Sequence, residues 1–394
     1  MEFKRHAQVP KESFFLFGPR GTGKSTWIKQ QLRAAHTCNL LLTREFLRLS
    51  REPDLFRREV MSLPEKSWVV VDEVQRLPSL LNEVHALLED FPGRYRFALT
   101  GSSARKLKRQ QANLLAGRAA LRKFFPLTSH ELGDRFDIGR AIRWGCLPRV
   151  WSHPESGDSL PSTAQVIAFL ESYVETYLRE EIQQEAIVRN LDSFARFLEV
   201  AALANGQVLN RSNIARDCAV ARQTVDGFYQ VLEDTLIGIS LPAWRPKLKV
   251  KELEHPKFYF FDSGVVRALL GKADEKPEAA EEGPLLETWL LHELRAFDSY
   301  SGLNGKFSYW GAHSGSEVDF IWQKGSRSVG IEVKRTQRWR SDDGAALGEA
   351  LESGKLKAGY GVYLGAETQK LSLGVSVLPV NRFLKKLWSG EILK

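Results

Sequence analysis

The segment Gly18-Pro-Arg-Gly-Thr-Gly-Lys24-Ser25-Thr26 constrains this chain more than any other stretch of it. It follows the apolar run Phe14-Phe-Leu-Phe and leads into Trp27-Ile28 and Leu32, so it joins a strand to a helix. Glycines 18, 21 and 23 let the backbone turn tightly and approach an anion; a lysine then meets the outer phosphates and a hydroxyl meets a magnesium ion. The phosphates would lie at a helix N-terminus, where free amide hydrogens and the helix dipole favour negative charge. The expected cofactors are ATP and Mg2+. The expected contacts are Gly18, Pro19, Arg20, Gly21, Thr22, Gly23, Lys24, Ser25 and Thr26, with Ser25 on the metal.

Such a loop requires an acidic partner, and Trp68-Val-Val-Val-Asp72-Glu73 supplies one at the end of an apolar strand. Asp72 is expected on the magnesium ion and Glu73 on the attacking water. In a third strand, Leu99-Thr100-Gly101-Ser102-Ser103 again puts polar groups at a sheet edge. Thr100 or Ser102 could meet the γ-phosphate or the water; a helix N-cap at Ser102 or Ser103 is the competing reading.

The first third of the chain alternates β-rich runs (Phe14 onward, Leu40-Leu-Leu, Trp68 onward, Tyr95-Arg-Phe-Ala-Leu) with helical stretches, and Arg118 to Phe125 could add a strand. This is the α/β pattern of a largely parallel sheet covered by helices. With 394 residues, two or three domains are expected. The Ser/Pro/Gly-rich segment 152–162 ends the first, giving 1–155. A helical section and a helix-turn-helix fill 156–271; the polar, acidic segment Lys272 to Pro284 reads as a surface loop or linker. A unit of one helix and several strands occupies 272–394.

In the middle section, Asn210 to Arg216, the turn Cys218-Ala-Val and Ala221 to Leu232 read as two packed helices. A strand pair, Leu236 to Pro242 and Lys257 to Phe261, follows with a basic connection. Arg222, Gln223 and Thr224 would start the second helix, where such modules read the major groove, and Arg245, Lys247 and Lys249 would line a basic wing. Winged helices also serve as ATPase lids and protein docks. In the last unit, alternation sends Glu332 and Lys334 to one face of a strand while Ile331 and Val333 face the core. Asp319, thirteen residues earlier, ends a neighbouring strand. Asp319 and Glu332 could hold a metal, with Lys334 orienting water.

These motifs resemble a known family. GPRGTGKST, VVVDEVQRLP, LTGSSA and LLAGR look like the AAA-type ATPases of archaea and bacteria with an appended C-terminal domain, over nearly the whole chain. The resemblance implies that Arg118 of LLAGR reaches a neighbouring subunit's nucleotide in a homo-oligomer; an arginine exposed or serving its own subunit is the alternative. The last unit resembles the PD-(D/E)XK nuclease superfamily, with Glu287, or else Glu293, as its helix-borne acid, although Asp319 lacks the preceding proline of that motif. A folded unit without nuclease activity, used for binding, fits the same residues.

A net charge of +8 favours polyanionic partners, DNA foremost. No apolar run is long enough to span a bilayer, the first residues lack a secretory pattern, and Cys38, Cys146 and Cys218 form no disulfide framework. These features point to the cytoplasm, with no membrane partner and no small substrate besides ATP. The expectation is an ATP-hydrolysing protein that moves or remodels branched or single-stranded DNA. The alternative is a regulatory ATPase switched by its nucleotide.

Overall fold

A computed structural model describes residues 3–102, 115, 117–152, 159–178, 191–245, 253–371 and 374–393. They pack as two compact bodies, 4–127 with 231–237, and 128–230 with 238–394.

The first body is a five-stranded parallel sheet of β1 (Phe14–Phe17), β2 (Ala34–Asn39), β3 (Ser67–Asp72), β4 (Tyr95–Gly101) and β5 (Ala120–Lys123), in the order β2-β3-β4-β1-β5. Its helices among the described residues include α1 (Lys24–Gln31), α2 (Thr43–Arg51), α3 (Asp54–Met61) and α4 (Leu80–Asp90). The apolar runs of β1, β3 and β4 are continuous because both faces of the sheet are covered. Phe15, Phe17, Val69, Val71, Phe97 and Leu99 face one way, onto Leu49, Phe56, Val60, Leu80, Val84 and Leu87. Phe14, Leu16, Trp68, Val70 and Ala98 face the other way, onto Trp27 and Ile28 of α1. The period of two therefore sorts one hydrophobic strand into two cores.

One strand differs from expectation. The run Leu40-Leu41-Leu42 follows β2 rather than forming it, and Leu41 and Leu42 are exposed. β2 pairs on one side only, with β3, and its half-exposed edge does not require an apolar sequence.

The second body opens with α5 (Ser129–Leu132), α6 (Ile138–Trp144), α7 (Pro148–Trp151) and α8 (Thr163–Ser172), which continues into a π-helical turn, Tyr173–Leu178. Next come α9 (Leu191–Leu203), α10 (Arg211–Asp217) and α11 (Arg222–Asp234), then an antiparallel ribbon of β6 (Gly238–Leu241) and β7 (Lys257–Phe260) and α12 (Ser263–Leu269). Phe194 and Phe197 of α9 pack edge-on or tilted against Phe228, and Phe197 packs edge-on against Tyr229. Asp262 fixes the start of α12 by accepting the amides of Gly264 and Val265, and it also accepts that of Cys146.

The long helix α13 (Ala279–Tyr300) precedes a six-stranded sheet. Its strands are β8 (Lys306–Gly311), β9 (Glu317–Lys324), β10 (Arg327–Lys334), β11 (Ala358–Tyr363), β12 (Gln369–Lys370) and β13 (Val375–Pro379), with α14 (Ala345–Glu352) and α15 (Val380–Trp388). The order is β12-β13-β11-β10-β9-β8; β8, β9 and β10 are antiparallel, and β10, β11 and β13 are parallel. The segment expected as a linker up to Pro284 is in part helix. α13 begins at Ala279, with a reciprocal cap between Glu278 and Glu281, and takes Pro284 into its second turn. Glu281 also pairs with buried Arg267 at 2.9 Å and with Lys272 at 2.7 Å, so the acidic run docks where composition suggested a loop. No helix among the described residues is long and apolar enough to cross a membrane.

Candidate functional sites

The loop between β1 and α1 is shaped by close approach. A Cβ on Gly18 would collide with the Phe124 carbonyl oxygen, and Gly23, with φ of 92°, turns the chain into α1 from the left-handed region. Lys24 lies back across the loop, donating to the carbonyls of Gly18 at 2.6 Å and Pro19 at 3.0 Å, while Thr22 donates to Pro19 at 2.9 Å. Pro19 is buried, Arg20 half-buried, and Gly21 and Thr26 exposed.

The ends of β3 and β4 complete this site. Ser25 donates to the Asp72 carboxylate at 2.9 Å, and Thr100 donates to its other oxygen. Thr100 in turn accepts the Glu73 amide at 3.2 Å, so one hydroxyl braces both acidic residues. Glu73 has φ of 59°, an uncommon backbone for a side chain with a Cβ, which turns it off the strand direction. Gln75, which the motif reading passed over, donates to Glu73 at 2.5 Å and to Ser102 at 3.0 Å. A Cβ on Gly101 would collide with that amide, so the glycine makes its room. Ser102 thus meets Gln75; Ser103 lies outside the described residues. Arg118 is part-exposed beside α4, 3.4 Å from Glu89 and 3.5 Å from His85.

A second polar centre lies in the second body. The antiparallel register Phe320–Ile331, taken one step further, sets Asp319 opposite Glu332. Asp319 accepts the Val333 amide at 2.8 Å, and Lys334 donates to Glu332 at 2.5 Å. Glu287 of α13 joins them through Tyr259, whose hydroxyl donates to it at 2.7 Å. Burial, together with the Asp319 charge, pushes the Glu287 carboxyl up to about 8. Burial likewise raises Asp319 and Glu332. Glu293 makes different contacts: it accepts from the Ser129 amide at 2.5 Å, the Ser129 hydroxyl at 2.9 Å and Trp388 Nε1 at 3.0 Å, and burial pushes it up to about 7.

Two residues of this centre had no motif. Glu317 shares a face of β9 with Asp319 and pairs with Lys257 of β7. The Lys257 ammonium also lies 3.9 Å from Glu287 and 3.9 Å from Asp319, with only 4% of its side chain exposed. Period-two alternation marks Glu317 beside Asp319, and Lys257 beside Tyr259. Nothing local brings those two strands together.

On the helix pair, Arg222 and Gln223 are exposed at the start of α11 and Thr224 is half-buried. Arg245 is exposed and pairs with Glu254 at 3.2 Å. Lys247 and Lys249 lie outside the described residues.

A glycine-rich loop entering a helix at the mouth of a parallel sheet, faced by an acidic strand end, makes the first body a P-loop nucleotide-binding domain. Residues 10–133 match the family described as AAA domain. Residues 135–276 and 282–383 match two families each described as a domain of unknown function, DUF8612 and DUF4143. An uncharacterized protein of Mycobacterium tuberculosis is 26% identical over 384 residues, covering 96% of this chain and 82% of its own length. One of Haemophilus influenzae is 23% identical over 289 residues, covering 71% and 68%. Among solved structures, the Aeropyrum pernix Orc1 protein in complex with DNA aligns at 13% identity with a TM-score of 0.31, over 69% of this chain and 88% of that one.

Proposed function

We propose that the chain hydrolyses ATP to act on DNA, moving or remodelling branched or single-stranded forms. The observation that carries the ATP-hydrolysis part of the reading is the contact of Ser25 with Asp72, and of Thr100 with Asp72 and Glu73, at the mouth of the glycine loop. Hard oxygen donors of that kind fit a magnesium ion, which would supply charge neutralisation for the outer phosphates. Lys24, which donates to the carbonyls of Gly18 and Pro19, exchanges them for phosphate oxygens. Asp72 and Ser25 hold the metal side, and Glu73, aimed by its turned backbone and by Gln75, orients the attacking water. Arg118, part-exposed beside Glu89, is assigned to a neighbouring subunit's nucleotide in a homo-oligomer. Arg222, Gln223 and Thr224 at the start of α11, with Arg245, Lys247 and Lys249 after β6, are assigned to DNA. The family matches over 10–133, 135–276 and 282–383 support a three-part chain whose first part is an ATPase domain; the second part is read as a winged-helix section from its helix pair and strand ribbon, and the third as a nuclease-like unit from its sheet and acidic centre.

The test is ATP turnover by the pure protein, alone and with duplex, single-stranded and branched DNA. DNA is expected to stimulate turnover. Lys24→Ala is expected to abolish ATP binding, and Glu73→Gln to keep binding while turnover falls about 100- to 1000-fold. Normal turnover in both variants refutes the ATPase assignment, and turnover indifferent to every DNA refutes the DNA assignment.

A further inference from the structure

We propose that the ammonium of Lys257 is the resident cation of the acidic centre formed by Glu287, Glu317, Asp319 and Glu332, and that a divalent metal does not enter this centre while Lys257 is in place. Lys257 reaches the centre from β7, a strand outside the sheet that carries Asp319 and Glu332. It pairs with Glu317 and stands equally far, 3.9 Å, from a Glu287 oxygen and an Asp319 oxygen. The ring of Tyr309 flanks it, with the centroid 5.4 Å from the nitrogen. A lysine head this deeply buried stays charged only where acidic groups surround it, and three do.

Each carboxylate is also already served from within the chain. Glu317 has Lys257, Glu287 has the Tyr259 hydroxyl, Asp319 has the Val333 amide and Glu332 has Lys334. A magnesium or manganese ion needs about six oxygens at roughly 2.0–2.3 Å and would take the oxygens of Glu287 and Asp319 that face the ammonium. Two cations sharing those oxygens in a buried site repel each other far more than in water. The residues therefore do not fit a divalent metal as they stand. The centre keeps its acids compatible with folding without a metal, so the unit as it stands does not carry the divalent ion that phosphodiester cleavage at these residues would need.

The experiment uses the full chain carrying Lys24→Ala and no nucleotide, so that its outcome is independent of the ATPase reading. Mn2+ is titrated and the free ion is read by electron paramagnetic resonance. Expected is no binding in that protein that Asp319→Asn alters. Adding Lys257→Met is expected to create one site at least tenfold tighter than any in its parent, lost again with Asp319→Asn. Lys257→Met with Glu317→Gln removes the ion pair in a charge-balanced way and gives the same reading should Lys257→Met alone fail to fold. A Mn2+ ion held with Lys257 present and lost with Asp319→Asn overturns the proposal. So does Mn2+-dependent nicking of plasmid DNA that Asp319→Asn abolishes. Absence of a new site in both Lys257 variants overturns it too, because the ammonium would then not be what excludes the ion.

Discussion

Both bodies bring lysines and carboxylates together, and they arrange them in opposite ways. At the glycine loop, Lys24 rests on the carbonyls of Gly18 and Pro19, while Asp72 is met by the hydroxyls of Ser25 and Thr100. In the second body, Lys257 and Lys334 lie directly on the carboxylates. Neutral partners are exchanged at little cost when a more strongly charged ligand arrives, whereas a buried ion pair is costly to open from either side. The first arrangement is open to a polyphosphate and its metal. The second has its charges matched within the fold.

The sharpest way to break this contrast is to remove each lysine and weigh the loss in stability. Lys257→Met leaves buried Asp319, Glu287 and the part-exposed Glu317 facing no ammonium, and about 3 kcal/mol should be lost. Lys24→Ala, giving up bonds to carbonyls and leaving no carboxylate unpaired, should cost less, about 1.5 kcal/mol. Urea unfolding of the two variants measures both. Equal losses would mean that the centres do not differ in the way described.

A smaller effect concerns pH. Glu287 is pushed up to about 8 in the fold, chiefly by burial, so the folded chain holds this proton over a range where the unfolded chain has released it. Its stabilising contribution is complete below the ordinary glutamate range and is lost as pH rises through about 8. Glu293, pushed up to about 7, acts in the same direction. Unfolding followed from pH 5 to 8.5 should therefore show stability falling steadily across the window in which only the folded chain keeps the Glu287 proton. Glu287→Gln should flatten the slope and leave the part due to Glu293. A slope unchanged by Glu287→Gln would show that this carboxyl is ionised throughout.

The smallest expected effect sharpens the account of the first site. Gln75→Ala removes the amide joining Glu73 to Ser102, and ATP turnover should drop roughly 5- to 10-fold while ATP affinity changes less than about threefold. Parallel losses in affinity and turnover would assign Gln75 to the general shape of the loop, not to the aim of Glu73.

Much of the first site was legible because its chemistry is local. A phosphate-binding loop needs glycines, a lysine and a hydroxyl within nine consecutive residues, and Asp72 and Glu73 follow a strand whose apolar run announces its burial. The edge strand is hidden in the sequence because Leu40-Leu-Leu resembles a strand, whereas β2 is paired on one side only and needs little hydrophobicity. The helix around Pro284 is hidden in a comparable way. Composition marks the acidic stretch as a loop, yet the cap of Glu278 with Glu281 and the ion pairs to Arg267 and Lys272 hold it as helix.

The sequence by itself determined the P-loop, the parallel α/β character of the first body and the period-two facing of Glu332 with Lys334, since each depends on neighbours along the chain. Tertiary structure alone decided which helix acid joins Asp319 and Glu332. Glu287 meets Tyr259, whereas Glu293, six residues along α13, turns to Ser129 and Trp388. It alone decided, too, that Lys257 fills the acidic centre. The 62 positions separating Lys257 from Asp319 carry no periodic signal, and only the packing of β7 near β9 closes that distance to 3.9 Å.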